Sequence, residues 1–235
     1  GFKPGFKPTK VVTSTYLFPK DIVRQSPDGL PPNGFPYEWG FNYVDYGMDQ
    51  RVVNDKRYKD RIFDGLRSLP SYSLVMEMDD LFDEESGIFA NAKNDGREWE
   101  RSCSLEMISP DGESGFQENC GVRIRGGFSR MSPNAKHAFR FFFRSEYGPA
   151  KLQYPVFGKD AAQEFDNIDL RTFSNYSWSL SDDPRCTFMR DQFNRDMQFS
   201  LGQSTARGHY CHLYINGHYW GLFNVVERPE ATYFK

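Results

Sequence analysis

Residues 136–144 change character at every second position. Lys136, Ala138, Arg140, Phe142 and Arg144 fall on one side of an extended strand, and His137, Phe139, Phe141 and Phe143 on the other. The aromatic side can be buried and the cationic side left outward. A strand carrying Arg123 and Arg125 precedes it, and Gly126-Gly127 joins the two as a turn.

The same reading extends over the chain from residue 69. Residues 71–77 form a strand, and 79–87 a short acidic helix stopped by Gly87. Residues 101–108 and 116–125 pair as a hairpin around Pro110-Asp111-Gly112, and 166–171 is a further strand. A helix over about 185–201 is capped by Asp183-Pro184 and closed by Gly202. Its Met189, Phe193 and Met197 make one apolar stripe expected to face the core. Arg190, Asp191, Arg195 and Asp196 line its other faces, with Asp191 and Arg195 placed as an i,i+4 pair. Asn216-Gly217 between residues 210–215 and 218–226 is a hairpin signal. The fold class expected is α+β, an antiparallel sheet with a packed helix.

Residues 1–70 differ. Residues 9–18 read as a β-branched strand, 27–47 as an ordered loop pinned by Phe35, Tyr37 and Trp39, and 49–66 as a helical stretch with Val52, Val53, Ile62, Phe63 and Leu66 on one side. This part is expected to be a lead-in from an upstream domain, with a second unit over 71–235. The repeated Gly-Phe-Lys-Pro of residues 1–8 points to a fragment and does not read as a secretory signal.

Charge sharpens the picture. Residues 123–144 hold six Lys/Arg and no Asp/Glu, inside a chain whose formal net charge is -3. Two readings stand for this run: a solvated basic face, or an anion site such as one for phosphate, beside glycines that let backbone amides approach. The acidic balance disfavours nucleic acid. No apolar run of about 18 residues is present to span a membrane. The acids of 79–85 do not follow calcium-loop spacing. Cys103, Cys120, Cys186 and Cys211 show no zinc spacing. Cys103 and Cys120 lie on the two arms of one hairpin and can face each other; free buried thiols are the default.

Five segments in order resemble the CotH family, atypical protein kinases named after a spore-coat protein. They are Gly121-Val122-Arg123-Ile124-Arg125-Gly126-Gly127-Phe128-Ser129-Arg130, then Lys136-His137-Ala138-Phe139-Arg140, then Phe188-Met189-Arg190-Asp191-Gln192-Phe193, then residues 212–223, then Val226-Glu227-Arg228-Pro229-Glu230. The resemblance covers about residues 70–235. It implies the N-terminal lobe and hinge of a kinase-like fold, ATP with magnesium or manganese, transfer of phosphate to protein hydroxyls, and a secreted or cell-surface setting. It makes Gly126-Gly127 the loop over the phosphates, and draws the phosphate contacts from Arg125, Ser129, Lys136 and Arg140. The 185–201 helix becomes the brace of that site, and Glu227 marks the hinge beside the base. Glu230 stands where relatives often carry Asp. The family's catalytic and metal-binding aspartates are expected beyond Lys235, so residues 1–235 alone are expected to hold a nucleotide and not to transfer phosphate. The competing reading is a non-catalytic extracellular module that grips a polysaccharide or protein with Tyr37, Trp39, Tyr176 and Trp178.

Overall fold

The structure is a computed structural model describing residues 4, 11–32, 34–39, 42–112, 115–173 and 185–228. The first elements are α1 (Pro19–Ile22), β1 (Glu38–Trp39), β2 (Asn42–Tyr43), α2 (Gln50–Val53), α3 (Ile62–Ser68), β3 (Ser71–Val75) and α4 (Met78–Phe82). Then follow β4 (Arg101–Ile108), β5 (Phe116–Arg125), β6 (Ala138–Phe142), β7 (Leu152–Gln153), β8 (Glu164–Phe165) and β9 (Asn167–Arg171). The last are α5 (Arg190–Ser200), β10 (Gly208–Ile215) and β11 (His218–Val226).

Seven strands close into a barrel in the order β10-β11-β9-β6-β5-β4-β3. Each neighbouring pair is antiparallel except the closing one. There β3 runs parallel to β10, with Ser71 opposite His212 and Leu74 opposite Ile215. That parallel seam is absent from the sequence expectation, because it joins segments far apart in the chain. It leaves the barrel without an open sheet edge.

The alternation read from residues 137–143 holds on the inner side. Phe139 and Phe141 are fully buried, beside Val122 and Ile124 of β5, Ile168 and Leu170 of β9, and Phe223 and Val225 of β11. Burying one such side chain contributes about 1.5–3 kcal/mol. Phe142, on the outer side, is also buried, because the Arg123 and Arg144 guanidinium groups stack over its ring at 4.0 and 4.8 Å. The Asn216-Gly217 turn has φ of 47° and 82°, the left-handed pair a two-residue hairpin needs. The Asn216 side chain accepts from the Met76 N–H at 3.0 Å and donates to the Met76 carbonyl at 2.9 Å, tying the tip to the end of β3.

Four expected element boundaries are corrected. Residues 11–18 form no strand; the segment lies against the outside of β3 and β4 through side-chain bonds, with Thr13 Oγ1 to Ser104 Oγ at 2.7 Å and the Thr15 N–H to Glu106 Oε2 at 2.8 Å. Residues 9 and 10 fall outside the described residues. The stretch 49–66 is two short helices, α2 and α3, because Asp55 turns its carboxylate onto the Arg57 N–H at 2.8 Å and the local bond competes with helix. The acidic helix ends at Phe82, where the Asp83 carboxylate accepts from the N–H groups of Glu85 and Ser86. The long helix starts at Arg190, and its cap at Asp183-Pro184 falls outside the described residues.

The largest correction is the side on which α5 packs. Met189, Phe193 and Met197 are 61%, 61% and 45% exposed, so the apolar stripe faces solvent. The docking face is polar. Gln192 donates to the Gly208 carbonyl at 2.9 Å and accepts from Asn224 at 3.1 Å, while Arg195 reaches Asn224 Oδ1 at 3.4 Å. The helix lies against the outer surface of the barrel, whose alternate positions are polar.

Candidate functional site

The outward positions of β5, β6 and β9 form one charged surface. Register sets Arg123 opposite Arg140 and Arg140 opposite Asp169; Arg171 lies opposite Asn224 of β11. Asp169 is buried beneath the guanidinium groups. Arg140 grips it with a two-pronged bond, Nε to Oδ1 at 2.6 Å and Nη2 to Oδ2 at 2.9 Å. Arg125 Nε lies 3.1 Å from the same carboxylate. Two residues further along β9, on the same side, Arg171 is ion-paired with Asp191 of α5, and Asp191 also takes Arg195 Nη2 at 2.6 Å.

Arg125 and Arg140 thus share the Asp169 carboxylate, and Arg171 and Arg195 share that of Asp191. The crowding of like charges shows at Arg125. Burial pushes its pKa down, Asp169 holds it up, and the neighbouring Arg140, Arg171 and Arg228 charges push it down further. An anion laid on this face would relieve the repulsion.

The rest of the cationic run is not a solvated face either. Arg123 and Arg144 lie 3.3 and 3.0 Å from the buried Glu100 carboxylate, which Arg97 also meets at 2.9 Å. Arg130 donates to the carbonyls of Asn94 at 2.8 Å and Ile124 at 2.7 Å. Glu100 and Asp169 are distant in sequence from the run, so its local charge of six overstates what solvent meets.

The turn above Arg125 needs one glycine. Gly126 has φ of 112°, and a Cβ there would lie 1.9 Å from Ser129 Oγ. Gly127 has φ of -106° and open space around it. Ser129 Oγ donates to the Arg125 carbonyl at 3.3 Å and so closes the turn on itself.

Lys136 does not join this group. The chain bends at residues 135 and 136 before β6 begins, so the alternation fails there. Its Nζ donates to the Trp220 carbonyl and sits 5.7 Å from the Trp220 ring centre. Burial pushes its pKa down to about 8, against a pull from Asp45. The expected shared face of Lys136 and Arg140 is therefore not formed.

Glu227 lies just past β11, whose last residue Val226 stands opposite Asp169. It is buried, its Oε2 accepts from the Arg207 N–H at 3.1 Å, and burial pushes its carboxyl up. Of the seven residues read from sequence, Arg125, Gly126, Gly127, Ser129 and Arg140 are brought together, and Lys136 and Glu227 stand apart. Sequence reasoning missed Asp169 and Arg171 as site residues, although the i, i+2 spacing on β9 puts them on one side. It noted Asp191 and Arg195 and gave them no role.

Among the described residues no group of three or more His, Cys, Asp or Glu side chains is placed to hold a metal ion. No helix among them is long and apolar enough to cross a membrane. Of the four aromatics of the competing reading, Trp39 is buried in the main core against Phe82, Phe89 and Trp220, while Tyr37 is exposed. Tyr176 and Trp178 lie outside the described residues.

No curated protein matches the chain. Residues 122–235 match the CotH family, described as CotH kinase protein. The matched stretch begins within β5 and takes in Arg123, Arg125, the Gly126 turn, β6, β9, α5, β10 and β11. The match takes in a little under half of the chain, and over those residues it supports membership of the CotH kinase family.

Proposed function

We propose that this chain is the nucleotide-binding part of a CotH-type protein kinase, with the phosphates of ATP on the outer face of β5, β6 and β9. The observation that carries the reading is the Arg171–Asp191 ion pair. Protein kinases place a cation on the third strand of the nucleotide lobe, and an acid of the following helix holds it in position. Counted from β5 along the barrel, β9 is the third strand and carries Arg171; α5 is the next long helix and carries Asp191.

The residues present fit a polyphosphate. A guanidinium donates two parallel N–H bonds to phosphate oxygens, and Asp191 holds Arg171 so that less freedom is lost on binding. The Gly126 turn brings backbone close to the same face. Magnesium or manganese would draw charge from the phosphates during transfer; the described residues supply no carboxylate set for it. The role of these residues is binding and orientation, and uniform binding of ground and transition states does not speed chemistry. The hydroxyl-bearing protein substrate and the extracellular setting belong to the same proposal.

The test is titration of ATP, with and without manganese, into the chain and its Arg171→Ala variant. Hydrogen bonds to charged groups are worth about 1.5–3 kcal/mol, so affinity should fall on the order of 10–100-fold. Unchanged affinity in a folded Arg171→Ala protein would return this face to a structural role.

A further inference from the structure

We infer that Cys103 and Cys120 are a disulfide-forming site that fastens β4 to β5. Cys103 stands directly opposite Cys120 in the β4–β5 register, and their sulfur atoms are 3.5 Å apart. Directly opposed residues on antiparallel strands have Cα atoms about 4.5–5.5 Å apart, inside the range a disulfide spans. Their side chains leave the sheet on the same side, so side-chain rotation with a small local adjustment of the strands brings the sulfurs to bonding distance. All four cysteines are thiols in the structure; Cys211 is buried elsewhere in the barrel and Cys186 lies before α5.

The burial of the pair sets when the bond forms. Both thiols are inside the closed barrel. Burial first, and then the Cys120 neighbour, push the Cys103 pKa well up, so little thiolate exists in the folded state to attack an oxidant. Oxidation belongs to the open chain, before β3 meets β10. With oxidised glutathione as the oxidant, one protein thiolate displaces one glutathione thiolate to give a mixed disulfide. The second protein thiolate then displaces the other. Two protein thiols become one disulfide, the glutathione disulfide becomes two thiols, and each attacking sulfur gives its proton to solvent. Once the barrel closes, the same burial shields the bond from reductants.

The consequence lies along β5. Cys120 is on the same strand as Arg123 and Arg125, so the bond holds the base of the cationic strand to its neighbour. The inference does not depend on what that strand binds.

The experiment refolds the reduced chain from guanidinium in a mixture of reduced and oxidised glutathione, followed by alkylation in denaturant and tryptic mapping. Trypsin leaves both cysteines in one peptide, residues 102–123, because no Lys or Arg separates Arg101 from Arg123. The expected result is that this peptide is lighter by two hydrogens and unalkylated, while Cys186 and Cys211 are alkylated. The two cysteines are 17 positions apart, and closing a ring of that size should raise the melting temperature by about 6–12 °C over protein refolded in reductant. A Cys120→Ala variant should lose that difference and Cys186→Ala should keep it. Native-like protein whose 102–123 peptide carries two alkyl groups, or a link from either cysteine to Cys186 or Cys211, would overturn the inference.

Discussion

Replacing Lys136 with Met tests the placement of its ammonium group against the Trp220 carbonyl. Met keeps most of the apolar stem and removes the charge. The Lys136 ammonium donates to the Trp220 carbonyl and has its pKa pushed down to about 8, from an ordinary value of 10.5. His218, beside it, is itself held toward the neutral form by burial and by the Lys136 charge. A base whose folded pKa is depressed binds fewer protons folded than unfolded between those two values. Stability from this residue is therefore lowest below pH 8, rises as pH climbs through about 8 to 10.5, and is level above. At about 1.4 kcal/mol per pKa unit, the wild type should gain about 2.5 kcal/mol from this residue between pH 7 and pH 10, and Lys136→Met should gain none of it. Buried Tyr72 and Cys211, whose pKa values burial raises, push the other way at alkaline pH, but they do so in both proteins. The readout is thus the difference between the two, from urea unfolding followed by tryptophan fluorescence at pH 7, 8, 9 and 10. A difference that stays constant within about 0.5 kcal/mol over that range refutes the buried ammonium. The same variant should leave ATP affinity unchanged, because the ammonium does not face the outer surface of β5 and β6.

Three further outcomes are expected. Gly126→Ala should destabilise by about 1–3 kcal/mol, since its φ of 112° is one that L side chains rarely adopt and a Cβ there would displace Ser129 Oγ, whereas Gly127→Ala should stay within about 0.5 kcal/mol in thermal melts. Asp169→Asn, which strips the carboxylate from beneath Arg125 and Arg140, should cost about 3–5 kcal/mol in chemical denaturation; a loss under about 1 kcal/mol would mean the pair is solvated. Phe193→Ser on the exposed stripe of α5 should change stability by less than about 0.5 kcal/mol, against about 3–5 kcal/mol for Phe141→Ala inside the barrel, and a large loss at Phe193 would place that stripe in a core.

Strand periodicity made much of the barrel legible. The inward set Phe139, Phe141 and Phe143 and the hairpin at Asn216-Gly217 follow from alternation and turn chemistry, which are local. The parallel β3–β10 seam is not local, and nothing in residues 71–75 or 208–215 marks them as partners. The stretch 49–66 failed for a different reason: Asp55 and its neighbours spend their side chains on nearby N–H groups, which breaks a helix that periodicity alone would continue.

The site was legible only as far as the parity of its strands. Alternation separates two sides of a strand without saying what lies over either one. It put Arg125 and Arg140 together correctly, then carried the pattern two residues too far, across the bend at 135 and 136, and drew in Lys136. The same limit explains α5. Periodicity found its stripe of Met189, Phe193 and Met197 and assigned it to the core by default. A helix laid on the outside of a barrel meets a surface whose inward-pointing neighbours already fill the core, so the face it docks must match what points outward. Here that is Arg171 and Asn224, and the matching residues are Asp191, Gln192 and Arg195. An exposed apolar stripe and a polar docking face on one helix are thus two results of one cause, and that cause also brings an acid within reach of the cation on the third strand.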